Sequence, residues 1–348
     1  MVTTPSRAVV TGAAGILGSH LVTRLLADGS HVHGIDVRAI PSASAFTSQV
    51  ADVRDEAALT GAFAGADVVV HCAAALPSYP AEQIRSIIVG GTTAVLRAAR
   101  AARVRRVVHI SSTAVYGLPK VVPTREDHPR EPVDTYSAAK AEAEEIAEKF
   151  RTDGMSLAIV RPKTFLGPGR MGLFSMLFEW AEEGRNFPVL GRGDVRIQML
   201  AIEDLVDAVA TVIAAPDDVA CDTYNIGAAE FGTLREDFQS VLDAAGHGKR
   251  VVSIPGRPAV KALQLLERTG VSPVYGRLLH KLLDDSYVSI DKARDRLGFT
   301  PRLSNKDALL GTYDWWRRSR AGQPSRTAGR TSRDPWRQGA LALTKVFF

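Results

Sequence analysis

Only two cysteines, Cys72 and Cys221, occur in the 348 residues. That is too few for a disulfide framework or a cysteine-built zinc site, so no metal is expected and a cytoplasmic location fits. No apolar run reaches the roughly 18 residues of a membrane span, so integral membrane association is not expected. The opening residues, Met1 to Arg7, run into an apolar stretch without a signal-peptide pattern. Internal repeats are also missing. Basic charge is scarcer than the net +5 implies: from Arg317 onward there are eight basic residues and one acid, a net of +7, which leaves residues 1–316 at −2. A slightly acidic body argues against a nucleic-acid partner. Residues 319–348, rich in Arg, Gly, Ser and Thr, read as a disordered basic tail.

What is present is an alternation of short β-branched runs with helical patterns. Arg7-Ala8-Val9-Val10-Thr11 reads as a buried strand, followed by Gly12-Ala13-Ala14-Gly15-Ile16-Leu17-Gly18 and a helical repeat. Glycines at this spacing turn the chain, let backbone N–H groups approach a pyrophosphate and let the helix pack against the strand. Gly12, Ala14, Gly15, Ile16 and Leu17 are the expected contacts to a dinucleotide. The second strand ends at Asp36, where an acid suits an adenosine ribose and would repel a 2′-phosphate, so NAD is expected over NADP. Asp52 and Val53, after a third strand, are placed near the adenine, and Asp55 is a candidate N-cap. A fourth strand ends in His71-Cys72-Ala73-Ala74, whose small Ala73 and Ala74 admit the cofactor, while His71 reads as a packing residue. A helix is expected over 81–103, then a fifth strand ending at Ser111-Ser112-Thr113.

Next comes Tyr136-Ser137-Ala138-Ala139-Lys140, behind the start signal Asp134-Thr135. Residues four apart share a helix face. A lysine so placed favours a phenolate and makes the tyrosine a general base. The alternation up to residue 159 predicts an α/β fold with a doubly wound parallel Rossmann-type sheet. The expected division is a dinucleotide domain over 5–165, with later segments around 195–227 interleaved, and a smaller C-terminal substrate lobe over 166–318. Within the lobe the pattern predicts a helix over 173–183, a strand pair around Val189 and Ile197, helices over 203–214 and 233–245, and two amphipathic helices over 257–285 that read as core or lid.

Taken together and in order, Thr11-Gly12-x-x-Gly15-x-x-Gly18, Asp36, Asp52, His71-x-Ala73-Ala74, Ser112 before Val115-Tyr116-Gly117, Tyr136-x-x-x-Lys140 and Arg161-Pro162 with Gly167-Pro168-Gly169 resemble an extended short-chain dehydrogenase/reductase of the NAD-dependent nucleotide-sugar epimerase/dehydratase family. The resemblance spans about residues 7–318. It implies that Tyr136 takes a proton from a sugar hydroxyl while hydride passes to NAD, that Lys140 holds the nicotinamide ribose, and that Ser112 hydrogen-bonds the reacting oxygen. It adds Pro162 to the cofactor contacts and Thr113, Thr164 and Arg196 to the substrate contacts. A homodimer through a two-helix face is a further family expectation.

Family members that dehydrate sugars carry Asp-Glu where Thr113 and Ala114 stand, and sugar-acid decarboxylases tend to carry Glu at the place of Ala114. Both reactions are thereby disfavoured, and epimerisation at C4 through a keto-sugar leads. Ile88 and Thr164 replace asparagines usual in the family, and Arg196 sits one place from the usual arginine, which points to an altered substrate. Two alternatives stand beside this reading: an NAD-dependent dehydrogenase of another secondary alcohol, such as a 3β-hydroxysteroid, and an NAD(H)-binding sensor without catalysis.

Overall fold

The structure is a computed structural model that describes residues 5–170, 174–256 and 283–320. Its first half runs β1 (Arg7–Thr11), α1 (Ile16–Ala27), β2 (His31–Asp36), β3 (Phe46–Val50), α2 (Glu56–Phe63), β4 (Val68–His71), α3 (Ala81–Arg85), α4 (Gly91–Ala101), β5 (Arg106–Ile110), α5 (Thr135–Thr152) and β6 (Leu157–Pro162). Then follow β7 (Phe165–Leu166), α6 (Phe174–Glu182), β8 (Phe187–Leu190), β9 (Leu200–Ala201), α7 (Ile202–Ala214), α8 (Asp217–Ala220), β10 (Thr223–Ile226), α9 (Leu234–Ala245), β11 (Val251–Ile254), α10 (Asp291–Leu297) and α11 (Asn305–Arg320).

Seven strands form one sheet in the order β10-β6-β5-β4-β1-β2-β3, and every pairing in it is parallel. Side chains alternate between its faces, as the pleat requires. Ala8, Val10, Val108, Ile110, Ala158 and Val160 join the core under α1 and α7. Val9, Val107, Leu157 and Ile159 join the core under α2 and α4. A sheet covered on both sides needs apolar residues at nearly every strand position, and these strands supply them. This is the doubly wound sheet expected from the sequence. Its order reverses between β1 and β4, so the helices that follow those strands diverge to opposite faces and leave a crevice at the carboxyl ends.

A second core lies beyond β6, where Phe174, Phe178 and Trp180 of α6 meet Phe238 of α9 and Tyr313 and Trp316 of α11. The chain crosses back in between: α7 and β10 pack with the large sheet.

Several expectations change. The strand around Val189 does not pair near Ile197. It pairs in parallel with β11, Val251 opposite Phe187, while Ile197 bridges Ser286. A parallel partner 64 residues away leaves no local turn signal. The helix expected over 81–103 is interrupted by a π-helical turn at Ser86–Gly90 and ends at Ala101. The extra residue in that turn lets Ile88 pack, buried, against Ala139 and Ala143 of α5. The helices expected over 257–285 lie outside the described residues except for 283–285, which form a turn and bend. The expected tail lies outside them too, apart from Ser319 and Arg320, which finish α11.

Helix α5 is fixed at its start and at its middle. Asp134 accepts the Ser137 N–H at 2.7 Å while the Ser137 hydroxyl oxygen accepts the Asp134 N–H at 3.1 Å, a reciprocal cap. One turn beyond Lys140, fully buried Glu144 accepts from Arg161 Nε at 2.9 Å and Nη2 at 2.6 Å, and from Arg130 at 3.2 Å. Arg161 also donates to the Tyr116 hydroxyl at 2.7 Å and the Glu126 carbonyl at 3.0 Å. Removing one member of such a buried network strands the other charge, at a cost of about 3–5 kcal/mol. Glu144→Ala should therefore lower the free energy of unfolding in urea by about that amount. A loss below ~1 kcal/mol, the scale of a surface pair, would show that this network does not fasten α5 to β6.

Candidate functional site

The crevice between β1 and β4 opens into a cleft of about 290 Å³. Its walls come from the carboxyl ends of successive strands: Gly12, Gly15, Ile16, Leu17 and Gly18 after β1, Cys72, Ala74, Leu76 and Pro77 after β4, Ser111, Ser112 and Thr113 after β5, Pro162, Lys163, Thr164 and Phe165 around β6 and β7, and Arg170 beyond them. Tyr136 and Lys140 enter from α5. The expected Ser112, Thr113, Tyr136, Lys140, Pro162, Thr164, Ala74, Gly12, Gly15, Ile16 and Leu17 are thus brought together. Ala14, Ala73, Asp36, Asp52, Val53 and Arg196 are not among the lining residues.

The glycine turn is shaped by close approach. Gly12 has φ +69°, and a Cβ there would stand 2.8 Å from the backbone of Ala73. Only glycine lets β1's exit turn pass against the end of β4 at that distance. Gly15 begins α1 without a side-chain cap, so the first-turn N–H groups are left for an anion. Asp36 is 8% exposed and accepts the Ala14 N–H at 3.0 Å with one oxygen and the Arg38 N–H at 3.0 Å with the other. It sits beside the glycine turn, at the end of β2. Asp52 is instead clamped by Arg54 at 2.6 Å, a hydrogen bond that holds its carboxyl below the usual carboxylate range. Val53 is buried under Gly91. Buried Ser111 lines the cleft with a hydroxyl that has no partner among the described residues. These features fit a bound dinucleotide: an uncapped helix start for its phosphates, an acid at the end of β2 and an unused polar atom in the wall.

Ser112 precedes the 3₁₀ turn Thr113–Tyr116, and its Oγ accepts the Ala114 N–H at 3.1 Å. Its own O–H remains available to donate into the cleft. The Thr113 hydroxyl donates to the Pro162 carbonyl at 3.3 Å. Lys140 is 3% exposed, and its Nζ donates to the Ile110 carbonyl at 2.8 Å. Burial pushes its ammonium down to about 8, with Glu144 acting in the opposite direction. Below it, His71 bonds Thr11 Oγ1 at 2.8 Å and Thr92 Oγ1 at 3.2 Å. Burial pushes His71 down to about 3 and His109 well below its usual value, and pushes the Cys72 thiol up to about 12. All three stay neutral near pH 7, so Lys140 carries the charge of that layer.

Arg196 lies away from the cleft, its guanidinium 4.7 Å from the Phe231 ring and 5.4 Å from the Tyr287 ring. Ser111, Lys163, Phe165 and Arg170 were not singled out from the sequence. The signal for the last three was their place in the break after a strand end, which is where sites lie in such a sheet. Among the described residues, the lining contains no aspartate or glutamate. Among the described residues no helix is long and apolar enough to cross a membrane.

The sequence pattern of the NAD dependent epimerase/dehydratase family matches residues 8–227. A UDP-glucose 4-epimerase of Mycolicibacterium smegmatis is 30% identical, over 89% of this chain and 98% of its own. A 3 beta-hydroxysteroid dehydrogenase/Delta 5-->4-isomerase of Mycobacterium tuberculosis is also 30% identical, over 87% of this chain and 88% of its own. Among solved structures, MoeE5 superimposes over 90% of this chain and 99% of its own. Its complex with UDP-glucose and NAD gives 27% identity and a TM-score of 0.72, and its complex with UDP-glucuronic acid and NAD gives 26% and 0.73. With the family pattern running from β1 through β10 and across every strand end that lines the cleft, the chain belongs to the NAD-dependent epimerase/dehydratase family and is an enzyme of that family, whose cofactor is NAD.

Proposed function

We propose that the enzyme epimerises a nucleotide sugar, at C4, through a transient keto-sugar, with Tyr136 as general base. The observation that carries this is the cleft's chemistry: Ser112, Tyr136 and Lys140 meet there, and among the described residues no carboxylate lines it. An elimination or a decarboxylation of this family's kind uses a second acid or base beside the tyrosine. Oxidation and return at one carbon needs a single group that takes a proton and gives it back. The UDP-glucose 4-epimerase among the relatives and the sugar nucleotides bound by MoeE5 support the substrate class.

The family resemblance and the residues that line the cleft support the following roles. Gly12, Ala14, Gly15, Ile16 and Leu17 would hold the pyrophosphate, Asp36 the adenosine ribose, Asp52 and Val53 the adenine edge, and Ala73, Ala74 and Pro162 the nicotinamide half. NAD, when bound, supplies the acceptor for oxidation of the sugar carbon and the donor for its return. Ser112 accepts the Ala114 N–H on its oxygen, which leaves its O–H to donate to the reacting oxygen. Tyr136 accepts the proton of the sugar hydroxyl and returns it. Lys140, held by Ile110, places a positive charge where it favours the phenolate and holds the nicotinamide ribose. Thr113 and Thr164 would contact the sugar, and Arg196, which does not line the cleft, would reach only the nucleotide end, from the lobe.

A second reading is oxidation of another secondary alcohol, favoured by the hydroxysteroid dehydrogenase among the relatives and by the apolar wall of Leu76, Pro77 and Phe165. The two separate cleanly. With NAD and a panel of UDP-, dTDP- and GDP-hexoses, the epimerase reading expects the C4 epimer by NMR with no rise at 340 nm. NADH accumulating in proportion to an alcohol, with no epimer, would establish the dehydrogenase instead. Tyr136→Phe should lower kcat by about 10²–10⁴, the worth of a positioned base, with NAD still bound. A variant within tenfold of wild type would remove Tyr136 from that role.

The pH dependence has a definite sign. A lysine whose folded value is lowered to about 8 is charged below that pH and neutral above it. The charge that favours the phenolate is therefore lost as pH rises through about 8. The kcat profile should fall above that point, and Lys140→Met should lower kcat and remove the fall. A wild-type profile flat to the usual lysine value of 10.5 would contradict the assignment.

A further inference from the structure

Arg170 is a cation in the cleft wall with no acid paired to it among the described residues. It follows the Gly167-Pro168-Gly169 loop, and its N–H donates to the Gly167 carbonyl at 2.9 Å. Gly169, at φ +85°, brings this turn across from the cofactor loop: a Cβ there would stand 3.2 Å from Ile16 Cδ1. The guanidinium carbon lies 3.9 Å from the centre of the Phe165 ring, which fixes where the fork sits. Arg170 is partly buried and lines the same cleft as Ser112 and Tyr136.

The other cations of the wall are engaged. Lys140 donates to the Ile110 carbonyl, and Lys163 donates to the Ser286 carbonyl at 2.9 Å and hydroxyl at 3.1 Å. Arg170 has neither an ion pair nor a side-chain hydrogen bond among the described residues. Burial works against its charge, and Tyr136 acts in its favour. A partly desolvated guanidinium without a counter-ion is costly, and its planar fork matches an anion with two coplanar oxygens.

We propose that Arg170 receives a carboxylate carried by the sugar, so that the site takes nucleotide-linked hexuronates in preference to neutral hexoses. This rests on the epimerase reading above and narrows its substrate. The same fork would hold a phosphate, from the substrate's nucleotide or from NAD. The sugar is favoured because Arg170, in the wall that holds Ser112, is near enough to the reacting Tyr136 for that side chain to act on its charge.

The test compares matched pairs of hexuronate and hexose carried on UDP, dTDP and GDP, followed as C4 epimer by NMR. For the nucleotide that is accepted, kcat/KM for the hexuronate should exceed that for the hexose by about 10–100-fold, the worth of a charge-assisted pair. In R170M that ratio should fall toward one, and R170K, which keeps charge without the fork, should lie between. Far-UV circular dichroism and the melting temperature, unchanged from wild type, report that the variants are folded. A wild-type enzyme that turns over the hexose as well as the hexuronate overturns the proposal and leaves the epimerase reading standing. So does an R170M that weakens UDP or NAD as much as the hexuronate, which would assign the fork to a phosphate. If no pair is epimerised on any nucleotide, the epimerase reading fails and the proposal falls with it.

Discussion

A parallel sheet whose order reverses between β1 and β4 constrains everything else in this molecule. Helices after those two strands must cover opposite faces, so nothing fills the space between their starts. The carboxyl ends of β1, β4, β5 and β6 all open into that space, and each brings a different chemistry: glycine backbone, small alanines, serine hydroxyls, and a proline that ends the strand. The buried strands need only be apolar and β-branched to build this. The function then depends on one helix, α5, being held over the crevice at a fixed height. Its capping pair at Asp134 and Ser137 sets where it begins, and the Glu144 network ties its middle to β6.

That fastening also bears on the charge in the site. Glu144 stands one turn from Lys140 and works against the loss of its proton that burial would cause. Beneath the lysine, two histidines and a thiol are kept neutral by burial. With no carboxylate among the described residues of the wall, the cleft presents a tyrosine, hydroxyls and positive groups. Such a surface suits an anionic substrate and a reaction that moves one proton.

The first half of the fold was legible because its signals are local. The strand-glycine-helix unit at residues 7–21, the cap before α5 and the apolar strands each depend on neighbours within a few positions. The same holds for Asp55 and Thr233, which cap α2 and α9 as their positions suggest. The lobe was harder. β8 finds its partner in β11 across α7 and α9, and no local pattern announces a parallel pair at that distance. The π turn at Ser86–Gly90 is also silent in sequence, since Ile88 fits a helix pattern equally well. In the site, Ser112, Tyr136 and Lys140 stood out by type and order. Ser111 did not, because a second serine beside Ser112 reads as redundancy until its hydroxyl is seen without a partner. Arg196 attracted attention by its charge, yet its guanidinium packs on Phe231 and Tyr287 and is not among the residues that line the cleft.

The central claim is that one sugar carbon is oxidised and reduced again without leaving the site. A nucleotide sugar carrying deuterium at C4 tests it directly. The expected product is an epimer that keeps its deuterium at C4, with none lost to solvent and none found in released NADH. An epimer formed with hydrogen from water at C4, or label recovered in free NADH, would contradict it.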